Sequence, residues 1–158
     1  MKKSILAGIF AIATIFSATA QNESENTQPT FEVKVITSVE SIVPLGLGRS
    51  RIISTNAVRD YKEFSSEQTE GDDTRNKSKR KDIRVKDFEE TKLLNFYNVG
   101  GIRFQNIAAN DAVISSKLTS MLADGWDLVF VTSAVESDAG ETDEQGIFIT
   151  RYIFKRQL

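Results

Sequence analysis

The most regular pattern in the chain lies between residues 111 and 124, where apolar side chains recur at steps of three and four residues. This spacing places them on one stripe of an α-helix. The apolar members of the stripe are Val113, Ile114, Leu118, Met121 and Leu122. We therefore predict a helix over residues 111–124, with Asn110 or Asp111 capping the free N–H groups at its start.

A single glycine separates this helix from a second apolar run. Gly125 stands where a residue in the left-handed conformation would end the helix. Trp126 follows, and we predict that it covers the helix end as a core residue. Residues 128–131 are consecutively apolar and are aliphatic or aromatic, which is typical of a strand buried on both faces. The sequence thus predicts a strand over residues 127–134, with structural roles for Gly125 and Trp126.

Two further segments show strand patterns. From position 31 to 35 the odd-numbered residues are apolar and the even-numbered ones charged, which predicts a half-buried strand over residues 31–40. Residues 147–156 carry few polar side chains, so this strand is predicted to be central in its sheet, with material on each face. The acidic stretch between the last two strands is predicted to be a loop.

The middle of the chain gives weaker signals. Ile52 and Ile53 indicate a short strand, and Gly100-Gly101 is a turn signal within a predicted hairpin near residues 92–107. Residues 60–87 are dominated by charged and hydroxyl side chains, which predicts a solvated, flexible insertion.

Together these elements predict an α+β fold. The sheet is small and mainly antiparallel, with its three main strands near residues 31–40, 127–134 and 147–156. The helix packs on this sheet, and the hairpin near 92–107 adds a second layer over the central strand or extends the sheet edge. One domain over residues 30–158 holds all of these elements, including the insertion at about 60–87.

The N-terminus is predicted to be a targeting segment. Two lysines precede an apolar run over residues 5–16, and Ala18-Thr19-Ala20 matches the small-x-small cleavage pattern. The run is short for a membrane span, and no later run is long enough. We therefore expect residues 1–20 to be a signal peptide and residues 21–29 a disordered leader. The mature chain is expected in the bacterial periplasm or the extracellular space.

Composition narrows the possible chemistry. The chain has no cysteine and no histidine. This excludes disulfides, Cys–His and Ser–His–Asp nucleophiles, and the usual zinc sites. The formal net charge of −2 becomes about −4 once Lys2 and Lys3 are removed, so nucleic acid is not an expected partner. The residues assign no cofactor.

Two loops carry residues suited to binding ions. In the first, Gly46 and Gly48 would let backbone N–H groups approach an anion, and Arg49 and Arg51 would add forked donors. The alternative is a turn with two solvated arginines, since the lysine and spacing of a P-loop are absent. In the second loop, three carboxylates are suited to calcium: Asp138, Glu141 and Asp143. A solvated hairpin loop is the alternative there.

Titratable residues near apolar sequence are few, and they form no nucleophile–base pair at a recognised spacing. They are Glu89, Glu90, Lys92 and Tyr97. No catalytic residue is assigned. The first functional hypothesis is therefore an exported, non-catalytic binding or interaction module, whose partner is an envelope protein or a second copy of the chain. The alternative is a cell-envelope enzyme using carboxylate chemistry. A flat apolar patch favours the module, and a deep pocket of converging carboxylates favours the enzyme.

Three stretches together resemble the small bacterial βαββ domains of unknown function. They are Phe31-Glu32-Val33-Lys34-Val35-Ile36, Asp124-Gly125-Trp126-Asp127-Leu128 and Tyr152-Ile153-Phe154-Lys155-Arg156. That family is recognised by a Gly-Trp-acidic-Leu turn and a C-terminal aromatic-Lys-Arg strand. The resemblance implies that the first strand pairs antiparallel with the last, which pairs antiparallel with residues 128–131. It also implies a right-handed crossing of the helix over one face, and it implies no activity.

Overall fold

The computed structural model of the chain describes residues 30–41, 50–98, 100–136 and 146–158. Within these ranges the elements, in chain order, are β1 (Phe31–Ser41), β2 (Arg51–Ser54), a 3-10 turn (Tyr61–Phe64), α1 (Arg80–Ile83), β3 (Glu89–Lys92), β4 (Tyr97–Asn98), β5 (Gly101–Ile102), α2 (Phe104–Ala123), β6 (Asp127–Glu136) and β7 (Ile147–Gln157).

Five of the strands form one antiparallel sheet in the order β3-β2-β1-β7-β6. The predicted α+β fold with a mainly antiparallel sheet is confirmed. Pairing of β1 with β7 runs over eleven positions, from Phe31 opposite Gln157 to Ser41 opposite Ile147. The expected pairings of first strand with last, and of last strand with the strand after the helix, are both present. β7 therefore has a strand on each side, as its apolar sequence predicts. The predicted cover on both of its faces is not found, because among the described elements α2 covers one face and none covers the other.

The main helix begins earlier than predicted. It starts at Phe104, so Asn110 lies in the helix interior and is not its N-cap. Arg103 is the N-cap residue and makes no side-chain capping bond. The predicted hairpin near 92–107 is reduced to the two-residue strands β4 and β5. Residues 102–106, which were predicted to belong to the hairpin, span the end of β5 and the first turn of the helix.

The buried stripe of α2 also differs from the predicted one. Met121 is buried, and Ile114 and Leu118 pack against the core, but Val113 and Leu122 are exposed. Asn110 is buried in their place. The apolar spacing thus found the correct helix but placed its inner side about one position away from the real one.

Six buried apolar side chains form the core, on the side of the sheet that faces α2. They are Ile36, Ile52, Leu93, Met121, Trp126 and Phe154. From Phe31 to Ile36 the alternation divides β1 between the two faces, because Ile36 is buried whereas Phe31, Val33 and Val35 are exposed on the opposite face. The sheet is thus covered on one face by the helix.

β6 contradicts its sequence pattern. Residues 128–131 were predicted to be buried on both faces, yet every residue of β6 is exposed. The cause lies in the topology. Among the described residues β6 pairs only with β7. Side chains of α2 reach across to β1 and β3, through Asn110 to Glu40 and through Lys117 to Glu89.

Residues 60–87 lie on the surface between β2 and β3. All of them are exposed except Phe64 and Val85, which are half-buried. The segment holds the 3-10 turn, the four-residue helix α1 and a bridge between Thr69 and Asp72. Since β2 and β3 pair directly, with Ser54 opposite Glu89, the segment leaves and re-enters the sheet at neighbouring points.

Candidate functional site

The junction between α2 and β6 is built as the sequence leads us to expect. Gly125 has φ +80°, the left-handed conformation. Its N–H donates to Leu122 O at 3.1 Å, and the N–H of Trp126 donates to Met121 O at 3.1 Å. These bonds satisfy carbonyls at the helix end that would otherwise lack partners. The turn delivers Trp126 into the core, where it is 7% exposed.

Arg156 holds this junction from the last strand. Its guanidinium lies 4.4 Å from the centre of the Trp126 ring and donates to Asp124 O at 3.1 Å. Nε also donates to Glu32 Oε1 at 2.7 Å, and a second nitrogen reaches the same oxygen. One side chain therefore ties the helix end, β1 and β7 together, through a cation–π contact and charge-assisted hydrogen bonds.

An open cleft of about 500 Å³ runs beside this cluster. Lys34 lies on its wall, 5.9 Å from the Trp126 ring centre, and donates to Asn56 Oδ1 at 2.6 Å. Arg156 is also bonded within the chain, as described above. Because both cations have internal partners, we interpret the cluster as a structural lock and do not assign a ligand to the cleft.

A buried polar network lies along the N-terminal half of α2. Asn110 accepts from the N–H of Leu94 at 2.8 Å and donates to Leu94 O at 2.7 Å and to Glu40 at 2.9 Å. Asn95 accepts from the hydroxyl of Ser50 at 2.7 Å. The network fixes the segment after β3 against the helix. Sequence reasoning missed it, because its partners are distant in the chain.

Of the titratable residues considered for catalysis, Glu89 and Glu90 form ion pairs and Lys92 is exposed. Glu89 accepts from Lys117 at 3.0 Å and from the Ser54 hydroxyl at 2.8 Å. The contact with Lys117 is the larger cause, and together the two contacts lower the pKa of the Glu89 carboxyl below its usual value. Glu90 pairs with Arg51. The lowered pKa of Glu89 makes it a weak general base at neutral pH.

Most of the predicted ion-binding residues lie outside the described part of the chain. This holds for Gly46, Gly48 and Arg49 of the anion loop and for Asp138, Glu141 and Asp143 of the calcium loop. Arg51 lies on β2, where it pairs with Glu90. Across the ranges that the structure covers, no group of three or more metal-ligating side chains occurs. Over the same ranges, no helix has the length and apolar character needed to span a membrane.

The two edges of the sheet differ sharply. β3 is four residues long and has the sequence Glu-Glu-Thr-Lys. β6 is ten residues long and is uncharged from Leu128 to Val135. We call residues 128–135 the β6 edge. Its side chains are exposed on both sides of the sheet, with Val131 and Val135 on the side of α2 and Phe130 on the opposite side.

The side of the sheet opposite α2, here called the open face, continues this apolar surface. Val35 lies opposite Ile153, which lies opposite Phe130, so three apolar side chains form a row across β1, β7 and β6. Phe31 and Val33 extend it along β1. These two residues, with Val35 and Phe130, are all more than 40% exposed. No described element of the chain covers this row.

No family model matches the sequence, and comparisons with curated proteins and with solved structures find no significant match.

Proposed function

We propose that this chain is an exported, non-catalytic interaction module that binds its partner through the β6 edge and the adjoining open face. The observation that carries the proposal is the exposure of the β6 side chains. Val131 and Val135 are 47% and 57% exposed, and Phe130 is 59% exposed on the other side of the strand. Contiguous apolar surface of this kind marks interaction sites on soluble domains.

The backbone of β6 supports the same proposal. A strand at the edge of a sheet presents N–H and C=O groups without partners, and natural proteins usually protect such edges with charge, proline or a bulge. β6 has an irregularity between Leu128 and Phe130 and acidic residues at its two ends. The residues from 130 to 135 have no such protection, so an added strand can pair there.

Export is proposed from the N-terminal sequence. Two lysines, an apolar run and a small-x-small site precede the domain. An exported protein without cysteine also relies on its core and on its partners for stability, because disulfides are not available to it. We expect cleavage after Ala20, and the mass of the protein recovered from producing cells measures it directly.

We further propose that the domain is an elaborated member of the small βαββ family that it resembles. The strand order β1-β7-β6, with the helix directly before β6, supports this proposal. The stacking of Arg156 on Trp126 gives the family's two sequence signatures a physical reason. The Gly-Trp-acidic-Leu turn supplies the ring, and the C-terminal aromatic-Lys-Arg strand supplies the cation that stacks on it.

The interaction proposal is tested by photo-crosslinking in the producing cells. A photo-reactive phenylalanine analogue at position 130 reports on the β6 edge. The same analogue at Phe88, another exposed aromatic that directly precedes β3, is the matched control. We expect a covalent protein adduct from position 130 and none from position 88. Equal yields at both positions, or no adduct from position 130, would contradict the proposed function.

A further inference from the structure

We infer that the partner of the β6 edge is a second copy of this chain, with the two β6 strands pairing antiparallel about a two-fold axis at Ser133. The inference rests on the interaction function proposed above and names its partner. Two five-stranded sheets would then become one continuous sheet, with the β3 strands at its outer edges.

The position of the axis follows from the regular part of β6. Phe130 to Glu136 pair residue by residue with Ile153 to Ile147 of β7, and the irregularity lies before Phe130. This regular part spans roughly 23 Å at about 3.3 Å per residue. Its middle residue is Ser133, which is exposed. A two-fold axis there uses the whole regular strand in both copies.

The side chains of β6 are self-complementary in this register. Val131 of one copy lies opposite Val135 of the other, and Thr132 lies opposite Ala134. Phe130 lies opposite Glu136, so no charge faces a like charge. Shifting the axis to a point between Val131 and Thr132 would set Asp127 against Glu136, and like charges directly opposite destabilise a pair of strands. Charge therefore disfavours that shifted register and is compatible with the one centred on Ser133, which also uses the whole regular strand.

The pairing also reduces the conflict between the sequence of β6 and its exposure, because β6 becomes an interior strand. A run of aliphatic and aromatic residues is typical of an interior strand. In a single copy, however, β6 has a neighbour on one side only among the described residues. In the two-fold assembly it gains its own symmetry mate as a neighbour, and each Val131 lies beside Val135 of the other copy. Closed two-fold dimers are the commonest oligomers, because one surface serves both subunits.

The opposite edge of the sheet explains why the assembly stops at two copies. Three of the four residues of β3 are charged: Glu89, Glu90 and Lys92. Glu89 and Glu90 are already committed to Lys117 and Arg51 of their own chain. Pairing there would cost these contacts and would bring the carboxylates of two chains together. Of the two edges of the described sheet, this leaves the β6 edge for self-pairing.

The absence of cysteine makes a direct test possible. Ser133→Cys gives a protein with a single thiol, which the proposed axis places opposite its own copy. Directly opposed residues have Cα atoms about 4.5–5.5 Å apart, within the range of about 4.4–6.8 Å that disulfides span. Mild oxidation should therefore link most of the protein into a covalent dimer. Non-reducing gel electrophoresis measures the yield.

Two further single-thiol variants serve as controls. Thr132→Cys lies on the same strand but faces Ala134 of the second copy, so its own copy is diagonal to it at roughly 7–8 Å. Thr91→Cys lies on the β3 edge. We expect a dimer yield from Ser133→Cys several-fold above either control. Equal yields from all three variants would overturn the inference. Fluorescence of Trp126, the only tryptophan, verifies that each variant is folded.

Sedimentation equilibrium of the unmodified protein gives an independent measurement. We expect a dimer that Val131→Lys dissociates and Thr91→Lys leaves intact. A monomer, combined with a position-130 photo-adduct to a different protein, would overturn self-pairing and leave the interaction function standing. A monomer without any adduct from position 130 would overturn both.

Discussion

The two edge strands of this sheet are held and protected by different kinds of residue. β3 is short and charged, and its carboxylates pair with Lys117 of the helix and Arg51 of the neighbouring strand. β6 is long and uncharged along most of its length, and it is anchored to the core at its first residues by the Gly125–Trp126 junction. Both edges result from the fold, but their side chains determine which of them another strand can join.

This difference predicts unequal responses to mutation. The β6 edge depends on a buried aromatic ring and on a backbone conformation, and both are costly to lose. The β3 edge depends on ion pairs near the surface, which contribute little individually. The following four experiments test this contrast, beginning with the largest expected effect.

Trp126→Ala should destabilise the protein by about 3–5 kcal/mol, the range for truncating a large buried aromatic residue. Domains of this size have about 5–15 kcal/mol in total. Trp126 also carries the stacked guanidinium of Arg156, which loses its contact. Chemical denaturation followed by circular dichroism measures the change.

The control for this variant is Phe104→Ala. Phe104 is also a large aromatic residue, but it is 77% exposed at the start of α2. Its removal should change the free energy of unfolding by less than about 0.5 kcal/mol. If the two variants unfold at the same denaturant concentration, Trp126 does not anchor the strand.

Gly125→Val should cost about 1–3 kcal/mol, because a β-branched residue must then adopt φ +80°. The added Cβ itself would meet little, since the nearest side-chain atom lies 3.8 Å away on Arg156. The cost is therefore conformational. Gly71→Val is the matched control, because Gly71 lies in open space without a positive φ. Equal stability of the two valine variants would exclude a special conformation at Gly125.

Glu89→Gln should remove a small part of the pH dependence of stability. The folded-state pKa of Glu89 lies below its ordinary value of 4.5. Its ion pair therefore stabilises the fold above about pH 4.5, and this contribution is lost as pH falls through the folded-state pKa. Since Glu89 is 63% exposed, solvent screening keeps the effect below about 1 kcal/mol.

The measurement for Glu89 is a series of denaturation midpoints between neutral and acidic pH. Lys117→Gln should flatten the curve in the same way, and the double variant should add little to either single one. Additive losses would show that the two side chains do not act as a pair.

The smallest effect is expected from replacing residues 60–81 with a short Gly-Ser linker. β2 and β3 stay paired through Ser54 and Glu89, and loop closure changes by only about 0.6 kcal/mol per doubling of length. The melting transition should remain cooperative and shift little. The same linker in place of residues 93–96 should unfold the protein, because Leu93 is in the core and Asn95 belongs to the buried polar network. Loss of the cooperative melting transition after replacing residues 60–81 would show that this segment packs against the rest of the domain.

Local sequence patterns predicted those secondary-structure elements that are determined by neighbouring residues. The strands near 31–40 and 147–156 were visible because their apolar residues repeat over many positions, and Gly125 was visible because a helix and a strand meet there. The start of α2 was not visible. Phe104 and Asn106 fit a strand alternation, and the N-cap residue Arg103 makes no side-chain capping bond.

Features that depend on distant residues were beyond the sequence pattern. The apolar run of β6 predicted the kind of environment such a strand requires, but it carried no information about what covers the strand. Asn110 was predicted to be a helix cap because it directly precedes the predicted helix. Its actual partners, Glu40 and Leu94, are far away along the chain, so local spacing could not reveal its buried role. Of the proposed β6 edge, the sequence indicated the strand and its apolar character but not its position at the end of the sheet.

The pairing of β1 with β7 has a consequence for the time course of folding. Phe31 lies opposite Gln157, so the longest ladder in the sheet joins segments made at the beginning and the end of domain synthesis. Contacts between such distant segments slow folding, because a large loop must close before they form. Until the last strand emerges, β1 has only the short β2 beside it. If the export proposed above takes place, this delay would help it, since a chain that has not completed its sheet can still be translocated unfolded.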